Sequence, residues 1–174
     1  MNAVDGLKAA ALLFVAAILQ VSLFTQVSIL GGVPDILLVT LVAVALLRGS
    51  LFGAVGGFFG GLLVDTATLS KLGLTSLVLT LAGYWIGRYG ETTGRDRAHA
   101  PFLSVAVTTV LYAFGELIVR FVLGEPAPGG PLVRGLVPSI VMNLILTAPV
   151  YWLVRRLLRP LDHGDYATEV QLLG

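Results

Sequence analysis

Long apolar runs, separated by brief polar or glycine- and proline-rich breaks, make up most of the 174-residue chain. A helix needs roughly 20 apolar residues to cross a hydrocarbon core about 30 Å thick. On that scale four spans stand out, over residues 7–30, 73–89, 101–123 and 135–158. The breaks between them carry turn chemistry: Gly31-Gly32-Val33-Pro34, the charged stretch 88–100, and the glycine- and proline-rich stretch 124–131.

Residues 34–66 break the pattern, because one nearly continuous apolar run holds Arg48 in its middle. As a single helix over 36–64 it would be about 43 Å long. It would also hold an arginine near the bilayer centre, costing at least about 2.5 kcal/mol. A turn at Arg48-Gly49-Ser50 removes that cost by letting the arginine reach water, and glycine and serine are good turn formers. The spacing therefore predicts a hairpin with arms 34–47 and 50–66. The first arm is short for a full crossing, so it must sit low, thin the bilayer locally or be shielded by its neighbours. Pro34 suits the first turn of its helix, where a missing N–H costs nothing.

Composition agrees with this reading. The chain is 56% hydrophobic and 12% charged, against about 25% charged residues in soluble domains. The fold class expected is an all-α membrane protein with six transmembrane helices in one compact bundle over 1–160 and a polar tail at 161–174. Lys8 precedes an apolar run without a small-x-small cleavage site, so the first segment reads as a retained span rather than a signal peptide.

Charge sets the orientation. Six spans put Lys8, Arg48, Arg88, Arg95, Arg97, Arg155, Arg156 and Arg159 on one side. The other side receives Lys71 and Arg134, with Arg120 near the outer end of its span. Five spans would bury Arg48 and move Lys8 to the wrong side, so the positive-inside rule favours six, with both termini cytoplasmic.

Candidate chemistry is sparse. There is no cysteine, which removes disulfides and thiolate metal sites. The two histidines, His99 and His163, lie far apart in polar segments without clustered ligands, so no metal or cofactor is expected. No nucleophile with a base, paired carboxylates, nucleotide motif or nucleic-acid signature is visible, and a non-enzymatic role follows. Gly53, Gly57 and Gly61 recur every fourth residue, as do Gly56 and Gly60, giving the third span two small faces for close packing inside the bundle or, as the second reading, against another protein. Asp35 follows Pro34 at a helix start, where a carboxylate can cap free N–H groups, the reading preferred over a ligand site. Asp65 closes a helix at the end unfavourable to an anion and needs a partner, for which Lys71 is a candidate. Glu116 and Arg120 stand one turn apart within the fifth span and share a face, which reads either as a functional site, the default for an intramembrane ionisable residue, or as a helix-internal ion pair facing the bundle. Ser139, Asn143 and Thr147 form a thin polar stripe able to bond a neighbouring helix, and Pro149 predicts a kink.

The stretch "PDILLVTLVAVALLRGSLFGAVGGFFGGLLVD" and the following "LGLTSLVLTLAGYWIGR" resemble the MreD family of bacterial rod shape-determining membrane proteins. The matching features are Pro34-Asp35 opening a span, the turn at Arg48, the glycine-rich span closing on Asp65, Gly73 in "LGL" and Gly87 in "GYWIGR". The ending "NLILTAPVYWLVRRLLR", with Asn143, is also similar. The resemblance implies a multi-pass subunit of the bacterial plasma membrane that belongs to the cell-elongation machinery and helps organise peptidoglycan synthesis. Implied partners are an MreC-like protein, RodA with its transpeptidase partner, MreB indirectly, and membrane lipid. The family is also similar in fold to the substrate-binding subunits of energy-coupling-factor transporters, which makes a vitamin-type carrier the alternative function. Those subunits often show Ala-x-x-x-Ala in their first span. Here Ala9, Ala10 and Ala11 are followed four residues later by Leu13, Phe14 and Val15.

Overall fold

A computed structural model describes residues 3–23, 28, 31–69, 72–93, 99–124 and 129–158. Among these residues the chain forms six helices: α1 (Ala3–Ser22), α2 (Ile36–Arg48), α3 (Ser50–Ala67), α4 (Leu74–Thr93), α5 (Ala100–Val122) and α6 (Gly129–Leu157). Lys71, Arg95, Arg97, Arg159, His163 and the 161–174 tail lie outside the described residues.

The hairpin forms where the charge argument puts it. Gly49 alone separates α2 from α3, and its φ of 95° lies in the left-handed region that glycine adopts without a Cβ penalty. Its N–H closes α2 by donating to the Ala45 carbonyl. Arg48, however, does not reach water through the turn, since it is only 6% exposed. The reason is the position of α2 in the bundle. This helix touches all five others, and every residue from Leu37 to Arg48 is buried. Arg48 is accommodated in its last turn, at the negative end of the helix dipole, while Asp35 occupies the positive end.

Burial also explains how so short a helix is tolerated. Thirteen residues extend about 20 Å, well below the hydrocarbon thickness. The other five helices form the jacket that α2 would otherwise need from lipid. Leu37, Leu41, Val44 and Leu47 pack against Leu13 and Ala16 of α1, Leu79 of α4, and Val154 and Leu158 at the end of α6. Leu38, Val42 and Leu46 pack against Ile86 and Val105.

Three helix boundaries differ from the apolar pattern. The first helix ends at Ser22 rather than Leu30, α4 continues past Tyr89 to Thr93, and α6 begins at Gly129, inside the glycine- and proline-rich stretch. By length and composition Ser50–Ala67, Ala100–Val122 and Arg134–Leu157 can each cross a membrane, whereas Gly6–Ser22 and Ile36–Arg48 are shorter apolar helices.

The tightest pairing joins α3 to α4. A methyl on Gly53 would overlap the Gly83 carbonyl, one on Gly57 the Leu79 carbonyl, and one on Gly61 the Ser76 backbone. Gly87 continues the seam from the other side, since a methyl there would come within 2.5 Å of the Gly49–Ser50 backbone. The second small face looks elsewhere: Gly56 receives Leu13 of α1, and Gly60 receives Leu37 of α2. Helices in lipid gain no hydrophobic energy by associating, so such close approach supplies their van der Waals attraction.

Candidate functional site

The polar atoms of the bundle gather at two ends. At the hairpin end, Gly49 offers α3 no side-chain cap, and α4 supplies one. Glu91 Oε1 accepts from Ser50 N at 2.7 Å and from Ser50 Oγ at 3.0 Å, while Arg88 approaches Oε2 at 3.4 Å. The Ser50 amide and hydroxyl, then the Arg88 charge, hold the Glu91 carboxyl below its ordinary value.

The opposite end is richer. Residues 31–35 reach α2 as non-helical backbone, and in a membrane such backbone is tolerated only where protein satisfies it or a cavity hydrates it. Side chains from two helices do so here. Gln20 of α1 accepts from Ile36 N at 2.8 Å and directs Nε2 to the Pro34 carbonyl at 3.3 Å. From α6, Ser139 Oγ accepts from Val33 N at 3.0 Å and Asn143 Oδ1 accepts from Asp35 N at 2.8 Å. Asn143, 1% exposed, also donates through Nδ2 to Thr109 Oγ1 of α5 at 3.0 Å. Asp35 caps α2 by accepting from Leu38 N at 2.8 Å.

Gln20, Val33, Asp35, Thr109, Ser139 and Asn143 line a half-open cavity of about 320 Å³, together with Tyr112 and Glu116 of α5. Glu116 Oε1 receives both Nε and Nη2 of Arg120, at 3.0 and 2.7 Å, an i,i+4 pair about one-quarter and one-third exposed, respectively. A second buried carboxylate, Asp65, lies near Tyr112. Asp65 is 0% exposed and sits beneath the start of α4. It accepts from Gly73 N at 2.9 Å, Thr75 N at 3.3 Å and Ser76 N at 3.4 Å. Gly73, at φ 95°, shapes the turn that aims these amides at one side chain. The anion at the unfavourable end of α3 is thus held by the favourable end of α4.

The structure therefore brings Asp35, Glu116 and Asn143 to the cavity wall, ties Pro34 and Arg120 to the wall residues Gln20 and Glu116, bonds Asp65 to Gly73 at the start of α4, and leaves Arg48 and Gly87 at the hairpin end. Of the polar stripe on α6, Ser139 and Asn143 reach across to other segments, while Thr147 turns back onto the Asn143 carbonyl. Gln20, Thr109, Tyr112 and Glu91 escape sequence reasoning. Gln20 alone leaves a signal there, as a lone amide inside an apolar run. No group of three or more histidine, cysteine or acidic side chains is placed to hold a metal among the described residues.

A family model described as "rod shape-determining protein MreD" matches residues 5–161. No curated protein and no solved structure matches the chain.

Proposed function

Because the chain belongs to the MreD family of rod shape-determining membrane proteins, we propose that it is a non-enzymatic subunit of the bacterial cell-elongation complex. In this reading all six helices cross the plasma membrane with both termini cytoplasmic. The protein binds an MreC-like partner through its lipid-facing helix surfaces, beside RodA and its transpeptidase, and so helps organise peptidoglycan synthesis. The family match along nearly the whole chain carries the proposal. The bundle supports it physically. Its interior is filled by α2, while bulky apolar side chains such as Phe58, Phe59, Trp85, Phe114 and Ile145 are exposed and available to other membrane helices.

Affinity between membrane helices comes from van der Waals fit and a few polar contacts, so substitutions on a partner face weaken association without unfolding the bundle. Depletion in a rod-shaped host is expected to round the cells, and affinity capture in mild detergent to recover an MreC-like chain. The rival carrier reading, which the polar cavity favours, forecasts lost uptake of a vitamin-type solute with normal cell shape. Normal rods combined with an uptake defect would reject the assembly role.

A further inference from the structure

A long apolar groove runs along the outside of the bundle between α1 and α3. The two helices start side by side, since a methyl on Gly6 would meet Phe52 at 3.7 Å. At their other ends Ser22 and Ala67 line one hollow together. Between these ends lie two half-open hollows of about 660 and 230 Å³, and Leu63 lines both. Leu7, Phe14 and Ile18 form one bank, Val55, Phe59 and Leu63 the other, and all six are exposed. Leu13 packed into Gly56 closes the floor.

Length separates the occupants that apolar walls would accept. From Gly6 to Ser22 the groove follows α1 for about 24 Å. A lipid chain from one leaflet covers only half of a core about 30 Å thick, so no single chain fills it. A helix crossing the membrane does. Lipid covers a convex helix face as well as protein can, but a concave one offers a helix van der Waals contact on two sides at once, and such fit is what drives association in a bilayer.

Charge defines the occupant further. Within residues 6–22 and 52–67 the charged side chains are Lys8 and Asp65. Asp65 is fully buried and turned to the amides at the start of α4. The Thr66 hydroxyl on the wall donates to the Leu62 carbonyl. The groove itself therefore asks for an apolar surface. Lys8 is exposed at its hairpin end, one turn from the wall residue Ala11.

We propose that the α1–α3 groove seats one membrane-crossing helix of the MreC-like partner, uncharged along the groove and carrying a carboxylate where it leaves beside Lys8. The inference rests on the assembly reading and adds the surface that performs it.

The test coexpresses the full chain with the MreC-like protein of a rod-shaped host and extracts both in mild detergent. Photoreactive benzoylphenylalanine replaces Phe59 in the groove or, as a control, Phe114 on α5. The Phe59 probe is expected to crosslink the MreC-like chain at least tenfold more than the Phe114 probe, and a probe at Leu7 keeps the test decisive if the first variant folds poorly. Ala10→Phe fills the groove from an exposed position. It should lower capture about tenfold, the scale of an overpacked contact, with an unchanged melting temperature. Lys8→Glu should lower capture about threefold, the scale of one exposed ion pair. Stronger crosslinking from Phe114, groove crosslinks to a second copy or to lipid alone, or capture undiminished by Ala10→Phe or Lys8→Glu would overturn the groove. Where the parent chain still captures the MreC-like protein, the assembly reading survives that result. Failure of the parent to capture it removes both.

Discussion

Gly53 and Gly83 face each other across the α3–α4 seam so closely that a methyl on either would overlap the other's carbonyl oxygen. Both positions must lack a side chain for the backbones to meet, and the same holds at Gly57 and Gly61 further along. Backbone approach of this kind permits Cα–H contacts to carbonyl oxygens in addition to dispersion. Gly57→Leu is therefore expected to reduce folded yield sharply in a fluorescence-detected detergent assay. Overpacking costs about 1–3 kcal/mol even where neighbours can shift, and backbone atoms shift least. Gly6→Leu, where a methyl would meet only the edge of Phe52 at 3.7 Å, should be tolerated far better. Equal yields would show that the seam is looser than described.

Asp65 accepts the amides of Gly73, Thr75 and Ser76 at the start of α4. Asp65→Ala should lower thermal stability by about 1–3 kcal/mol, the cost of leaving buried donors unmet. Asp65→Asn should cost less, since one carbonyl oxygen can still cap. A melting series in one detergent checks the order, and an alanine variant as stable as the parent would remove Asp65 from this role.

Asn143 joins α6 to both the Asp35 amide and Thr109. Asn143→Leu, close in volume but unable to bond, should destabilise by about 1–3 kcal/mol by orphaning the Asp35 N–H. Thr147→Val should cost less, because Thr147 bonds only its own helix. The comparison is read from paired thermal melts.

Glu91 gives the hairpin end a pH dependence. Its carboxyl is lowered from 4.5, first by the Ser50 amide. A carboxylate favoured in the folded state adds stability that is present above its unfolded value and is lost as pH falls through the folded one. Melting temperature should therefore decline as pH drops below 4.5. Glu91→Gln, which keeps an oxygen for Ser50 but does not titrate, should flatten that part of the curve. An unchanged acid limb in the variant would assign the decline to other groups.

Topology follows from the basic-residue asymmetry. Reporter fusions at Ser50 and Gly124 should report opposite sides of the membrane, with Ser50 cytoplasmic. Reporters on the same side would exclude the six-span arrangement.

The number and order of helices were legible in the hydropathy pattern because glycine, proline and charged residues separate the apolar runs, although α1, α4 and α6 do not all stop or start where those runs do. Arg48-Gly49-Ser50 is the clearest case: the turn could be placed from charge and glycine alone. Local chemistry was legible as well. Asp35 after Pro34 reads as a cap, Glu116 and Arg120 share a helix face, and the two glycine registers of α3 point to two close neighbours. Each of these depends on residues within a few positions of one another.

Which helix occupies the centre could not be read, and the reason lies in the solvent. Lipid tails and a protein interior are equally apolar, so leucines facing either give the same sequence, and α2 looks no different from a helix bathed in lipid. Only packing shows that α2 is jacketed, and with it why Arg48 is buried rather than wet. The polar cavity was hidden for a related reason. Val33 meets Ser139 and Asp35 meets Asn143 across 106 and 108 residues of chain, and no local pattern encodes such a meeting. Composition required the protein to lie in a membrane, and spacing required its hairpin. The tertiary fold decided which polar groups converge, because a buried polar atom takes its partner from whatever the packing brings within 3 Å.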